Sequence, residues 1–264
     1  MSVFIDRTSI YLQLFRYVVS SKIPATKKLY LPTIDSAYET EFTAEVVAVD
    51  ENQVTLNQTL FYPLGGGQNW DTGILNGPNG DLTVSEVRGR AEVQHFVGEN
   101  HQLENGDEVT GRIDWDRRFA HMKMHTAQHL VSGIVYEEFN GARTVGNQIH
   151  QDRSRIDFNP IKFDDEMLEL LKEKFDEKVS QKLEVSIKEM TREEINSIMP
   201  PDRTNMDLMP KSVKNLRIIE IGNKTDLCPC AGTHVRNIAE LGEIEFLGKK
   251  SKGKGTQRLS YTLR

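Results

Sequence analysis

From residue 28 to 114 the chain alternates apolar and polar positions in short runs, the pattern of strands with one buried face. Runs at 41–49 and 54–58 flank Asp50-Glu51-Asn52, a hairpin signature. Further strands are predicted at 73–75, 82–87, 92–97 and 108–113, with Asn76-Gly-Pro-Asn-Gly80 turning between the first two. Short strands joined by glycine-rich turns predict a small β-barrel or sandwich. Near Asp114-Trp-Asp-Arg-Arg118 the period lengthens to that of a helix, which runs through His125 and His129. Residues 153–158 then read as a strand, and 163 to 188 as a long acidic amphipathic helix with Asp164 or Asp165 as N-cap. Thr191-Arg-Glu-Glu194 has the form of a capping box and starts a short helix that Pro200-Pro201 stops. Strands at 216–221 and 244–247 complete an α+β half with an antiparallel sheet. Residues 10–19 are a further candidate helix with no assigned function. The expected organisation is an N-terminal extension over 1–30, a β-barrel domain over 31–114 and an α+β domain over 115–264.

Composition narrows the class. With 264 residues, 38% of them hydrophobic, the chain can bury a sizeable core. No apolar run approaches the roughly 18 residues of a membrane span, and Asp6 and Arg7 interrupt the one candidate signal segment, so a cytoplasmic location is expected. The two cysteines, Cys228 and Cys230, are separated by one residue, too close for an unstrained disulfide, so a metal or functional role ranks first. A net charge of −6 argues against a general nucleic-acid coat protein. The charge is segregated, however. Acid is concentrated in 164–194, whereas Lys249, Lys250, Lys252 and Lys254, with Arg258 and Arg264, make a basic C-terminal segment. Composition alone reads that segment as a solvated tail, and its other reading is a face that meets an RNA backbone.

The candidate chemistry sits in two pairs, His125-x-x-x-His129 and Cys230-x-x-x-His234. Residues four apart on a helix project from one face at adjacent turns, as a chelating pair requires. Pro229 and Gly232 mark the second pair as part of a tight loop. Three imidazoles and one thiolate complete a ligand set for one zinc ion. His-x-x-x-His alone is a weak signal, and His121 extends the same series as a competing ligand. Thr126 stands where a zinc protease of this spacing needs glutamate, which disfavours peptide hydrolysis. Cys228 remains a possible ligand, but only Cys230 has the three-residue gap to His234. A second cluster, Phe61-Tyr-Pro-Leu-Gly65-Gly66-Gly67-Gln68, allows close backbone approach by a ligand or another domain. With no following lysine it is not a phosphate-binding loop, and on its own it reads as a bulged turn.

Taken together, Phe61-Tyr-Pro-x-Gly-Gly-Gly-Gln68, Arg118-x-x-His-Met-x-x-His125-Thr-Ala-Gln-His129, Arg155-Ile-Asp-Phe158 and Cys230-x-Gly-Thr-His234 resemble the editing domain of alanyl-tRNA synthetase and its free-standing AlaX-type relatives. The resemblance implies a β-barrel followed by a zinc-binding editing domain. The related threonyl-tRNA synthetase domain lacks the barrel, so the Gly-Gly-Gly-Gln segment favours the alanyl branch. No synthetase core fits in this length, which implies a medium-length, trans-acting editor. Cys228 and Pro229 look like a local elaboration of the cysteine loop. The implied reaction is zinc-dependent deacylation of alanine tRNA mischarged with serine, and with glycine as a further candidate. Such an editor is needed because a pocket sized for alanine poorly rejects an analogue with one more hydroxyl or one fewer methyl. The zinc held by His125, His129, Cys230 and His234 then either activates the attacking water or positions the aminoacyl group. Substrate contacts are expected from Gly65, Gly66, Gly67 and Gln68, and from Thr144 as reader of the serine hydroxyl, with Gln128 and Gln148 as alternatives. Lys249, Lys250, Lys252 and Lys254 are the expected tRNA contacts. A non-catalytic RNA-binding module with a structural zinc, and a zinc hydrolase for another aminoacyl ester, remain open.

Overall fold

The computed structural model describes residues 23–200, 202–203, 206, 213–222 and 224–264, so the candidate helix at 10–19 lies outside the described residues. The first half contains strands β1 (Lys27–Lys28), β2 (Glu41–Asp50), β3 (Gln53–Leu56), β4 (Gln58–Thr59), β5 (Gly73–Gly77), β6 (Gly80–Val84), β7 (Glu86–Arg88), β8 (Gln94–Phe96) and β9 (Glu108–Ile113). A long helix, α1 (Trp115–Glu138), follows, and then β10 (Arg143–Gln148), β11 (Ser154–Asn159), α2 (Asp165–Ser180) and β12 (Val185–Thr191). The chain continues through α3 (Arg192–Ile198), β13 (Asn215–Ile221), β14 (Asp226–Pro229), β15 (Ile244–Gly253) and β16 (Thr256–Leu263). Among the described residues no helix is long and apolar enough to cross a membrane.

The alternation in the first half becomes seven strands in the order β6-β5-β9-β2-β3-β8-β7. Phe42, Ala44 and Val46 of β2 and Val109 and Ile113 of β9 point to one buried cluster with Leu56, Phe61, Leu75 and Val87. The expected barrel is not closed. Its edge strands β6 and β7 are joined through Ser85 alone, so the sheet coils round on itself, but they make no ladder with each other.

The second half places α1 against the sheet β10-β11-β16-β15, which is antiparallel throughout. Ile156, Phe158, Leu259 and Tyr261 are buried in one cluster with Met122, Met124, Leu130 and Val131 of the helix. The Tyr261 hydroxyl donates to the Met124 carbonyl at 2.6 Å. α1 begins where the change of period implied, and Asp114 caps it by accepting from the Arg117 N–H. Arg118, fully buried, ties α1 to the first half: its guanidinium bonds the Asp71 carboxylate and the carbonyls of Ala37 and Leu60. The third sheet, β12-β13-β14, leads into the cysteine loop.

Two expectations are corrected here. The acidic helix stops at Ser180, and residues that were read as its last turns form β12 against β13. The basic segment is also no tail. β15 continues to Gly253, and Lys254-Gly255, both at positive φ (49° and 76°), turn it into β16. Positive φ at both central residues is the two-residue turn whose twist matches a hairpin.

Candidate metal centre and its cleft

His125 and His129 lie one turn apart on the buried face of α1, and Cys230 and His234 come from the loop after β14. Their ligand atoms all fall within 4.8 Å of one another. Cys230 Sγ is 3.6 Å from His125 Nε2 and 3.4 Å from His234 Nε2. Gly232 has a steric reason: a Cβ there would stand 2.2 Å from Cε1 of His125, so the loop reaches the helix only without a side chain.

Each ring is held by its other nitrogen. Nδ1 of His129 is 2.7 Å from the Asp226 carboxylate, which only accepts. Nδ1 of His234 is 3.1 Å from the Thr126 hydroxyl, whose own hydrogen goes to the Met122 carbonyl. Nδ1 of His125 is 2.8 Å from Gln68 Oε1. That oxygen also accepts the Thr233 N–H at 3.1 Å, while the Gln68 amide nitrogen donates to the Thr233 hydroxyl at 2.9 Å, which settles the orientation of the amide. All three rings therefore carry hydrogen on Nδ1 and aim Nε2 at the centre, where it would bind a metal, the pattern of ligating histidines with supporting acceptors. The donor set fits a metal of zinc's preferences.

The two cysteines differ in kind. Burial raises the Cys230 thiol, but His125 and His234 beside it reverse this and hold it well below the ordinary thiol range. Burial pushes Cys228 up, the Asp226 and Cys230 charges add to that, and its sulfur is outside the cluster. His121, the competing ligand of the sequence, is fully buried and also outside the cluster. Burial lowers its pKa to about 3, with Arg117 and Arg118 adding to the effect.

His125, His129 and Cys230 open into a cleft of about 710 Å³ that Gly65, Gly66, Gln128 and Thr144 also line. Thr144 Oγ1 lies 2.7 Å from Ser132 Oγ, which accepts from the Gln128 amide at 2.8 Å. Of the glycine-rich segment, Gly65 and Gly66 line the cleft, whereas Gly67 packs on Asn147 and Gln68 is buried behind His125. Gln148 falls in a neighbouring groove with Lys249 and Lys250, and Lys249 is paired with Asp165 at 2.7 Å. Sequence reasoning missed Asp226, Ser132, Asn147 and Arg217. The last holds the Cys230 and Leu31 carbonyls, at 2.6 and 3.0 Å. Among the described residues, Lys28, Arg90, Arg143, Arg203 and Arg217 line the cleft against one carboxylate, Asp226, which is engaged with His129.

Comparison with known proteins agrees with this arrangement. Residues 21–117 match the family of class II (A) tRNA synthetases, and residues 216–260 match the second additional domain of threonyl and alanyl tRNA synthetases. The alanyl-tRNA editing protein AlaX-M of Saccharolobus solfataricus is 37% identical over 243 residues, covering 90% of this chain and 99% of the relative. AlaX-M of Methanosarcina barkeri is 36% identical over 233 residues, covering 86% and 95%. The alanine–tRNA ligase of Methanothrix thermoacetophila is 32% identical over 226 residues, but these are 85% of this chain and only 24% of the ligase. At this identity over nearly the whole length of both partners, the chain belongs to the AlaX-M family of alanyl-tRNA editing proteins.

Proposed function

We propose that this protein hydrolyses the ester joining serine, and secondarily glycine, to the 3′-terminal adenosine of alanine tRNA. The observation that carries the reading is the convergence of His125, His129, Cys230 and His234 at a cleft whose charged lining residues, among those described, are basic apart from Asp226. Zinc bound by these four groups would supply a Lewis acid for the ester. The residues of the chain do the rest. Gln68, Thr126 and Asp226 hold the three imidazoles in one tautomer, so the centre keeps its geometry as substrate enters. Lys28, Arg90 and Arg143 favour the polyanionic 3′ end of a tRNA over a free amino acid ester.

Discrimination falls to the polar chain Gln128–Ser132–Thr144. A serine hydroxyl bonded to this chain gains about 1–3 kcal/mol over alanine, whose methyl makes no hydrogen bond there. The test is deacylation of seryl-, glycyl- and alanyl-tRNA by zinc-replete protein. Rapid release of serine with alanine largely spared supports the reading, and no ester turnover sinks it.

One observation favours a second reading. Four protein donors already make a closed set, as in structural zinc sites, so a non-catalytic RNA-binding module would use the same residues. Single-turnover deacylation separates the two.

A further inference from the structure

A cationic groove lies beside the cleft on the outward face of the sheet β10-β11-β16-β15. Strand alternation assigns the faces: Ile156, Phe158, Leu259 and Tyr261 are buried under α1, so Arg155, Asp157, Arg258 and Ser260 stand on the other side. Cross-strand register aligns Asp157 with Arg258 and Arg258 with Lys250, and in the next row Gln148 with Arg155 and Arg155 with Ser260. These rows enclose a groove of about 610 Å³ lined by Gln148, His150, Arg153, Arg155, Lys250 and Arg258.

The charge on this face is not balanced from within. Asp157 takes two bonds from Arg258, at 2.6 and 2.7 Å, and Glu245, opposite Thr262 on the same face, is paired with Arg264. The Asp157 carboxyl is held below the usual carboxylate range first by Arg258 and further by Lys252 and Arg155, which places those cations around it. Arg153, Arg155, Lys250 and Lys252 make no ion pair among the described residues and are exposed. The chain as a whole carries −6, so the groove is a local positive site on an acidic protein. Arginine forks at its rim suit phosphate oxygens in particular.

The groove also has a defined position. β10 borders both sites: Thr144 and Asn147 line the cleft of the metal centre, and the next residue, Gln148, lines the groove. We propose that this sheet face is the docking groove for the phosphate backbone of an acceptor-stem RNA duplex, whose unpaired 3′ end then enters the adjoining cleft. The proposal rests on the reading of the cleft as an aminoacyl-tRNA ester site. It assigns stem recognition to Arg155 of β11 and Arg153 just before it, together with Lys250 of the β15–β16 hairpin, and not to a tail.

The test uses uncharged RNA, so that it is independent of ester chemistry. Binding of a fluorescent acceptor-stem hairpin with a single-stranded 3′ end is followed by anisotropy across a salt series. Two full-length variants are compared, Arg153→Ala/Arg155→Ala/Lys250→Ala and a charge-matched control on α2, Lys172→Ala/Lys174→Ala/Lys178→Ala. Circular dichroism and bound zinc check that both fold. The groove variant should bind about tenfold more weakly or worse, with a log–log salt slope shallower by about two to three, while the control binds as the wild type does. Wild-type affinity of the groove variant, or equal loss in the control, overturns the proposal. So does displacement of the hairpin by polyglutamate of matched charge as readily as by unlabelled RNA, since the face would then be a dock for acidic protein. A protein that binds the hairpin through these residues yet hydrolyses no ester keeps the groove and rejects the reaction.

Discussion

Gln68 Oε1 accepts the Nδ1–H of His125 at 2.8 Å, joining the glycine-rich loop of the first half to the metal centre of the second. The bond fixes a tautomer as well as a position, because the same oxygen is already committed as an acceptor to Thr233 N–H. Gln68→Leu keeps the bulk and removes the acceptor. The expected loss is about 10–100-fold in zinc affinity with secondary structure retained. Competition with a chromophoric chelator measures it, and unchanged affinity would show that His125 is oriented without Gln68.

The buried Arg118–Asp71 pair carries the mechanical link between the halves. Arg118 and Asp71 are both fully buried, and the Asp71 carboxylate also accepts the Tyr62 N–H at 2.7 Å. Removing one partner strands the other charge in a dry site. Asp71→Ala should destabilise by about 3–5 kcal/mol in chemical denaturation, far more than an exposed ion pair such as Lys172–Asp176 contributes. Equal effects would mean that the pair is hydrated.

Acid sensitivity should arise partly at His95. The ring is fully buried with Nδ1 3.2 Å from the Val54 carbonyl and Nε2 2.8 Å from the Thr59 hydroxyl, which satisfies a neutral imidazole. Burial lowers its pKa from 6.5 to about 4. The folded state therefore resists a proton that the unfolded chain accepts. This part of the stability is present above the unfolded value and is lost as pH falls from 6.5 through the folded value of about 4. The loss is about 3 kcal/mol in full. Urea midpoints at several pH values should fall more steeply with acid for wild type than for His95→Gln, and parallel curves would remove His95 from the effect.

Local signals in the sequence carried much of the fold. The β2 hairpin, the Asp164 cap and the Thr191 capping box depend on residues within a turn or two, and each forms where expected. β12 was misread because the helix before it ends without glycine or proline: Lys182 takes the left-handed conformation at φ 50°, which its residue type does not announce. β10 and β16 find their partner in β11, so their pairing is a tertiary matter. The same division holds at the site. The four donor residues follow helical and loop spacing and were legible. The acceptors Gln68 and Asp226 lie 57 and 97 positions from the histidines they hold, and only the folded chain brings them together.

Thr144 supplies the prediction on specificity. Its hydroxyl sits 2.7 Å from Ser132 in the cleft, so Thr144→Val removes a polar group while keeping the shape. The ratio of seryl to alanyl hydrolysis should fall by about tenfold or more, with alanyl hydrolysis little changed. An unchanged ratio assigns hydroxyl recognition elsewhere.

The central claim, that the four-donor centre performs ester hydrolysis, is tested most directly by single-turnover deacylation of seryl-tRNA for alanine, read beside bound zinc, in wild type, Cys230→Ala and Cys228→Ala. The expected result is rapid serine release by wild type, zinc and activity lost together in Cys230→Ala, and both largely kept in Cys228→Ala, whose sulfur is outside the cluster. Zinc-loaded wild type that releases no serine, or a Cys230→Ala protein as active as wild type, would contradict the account.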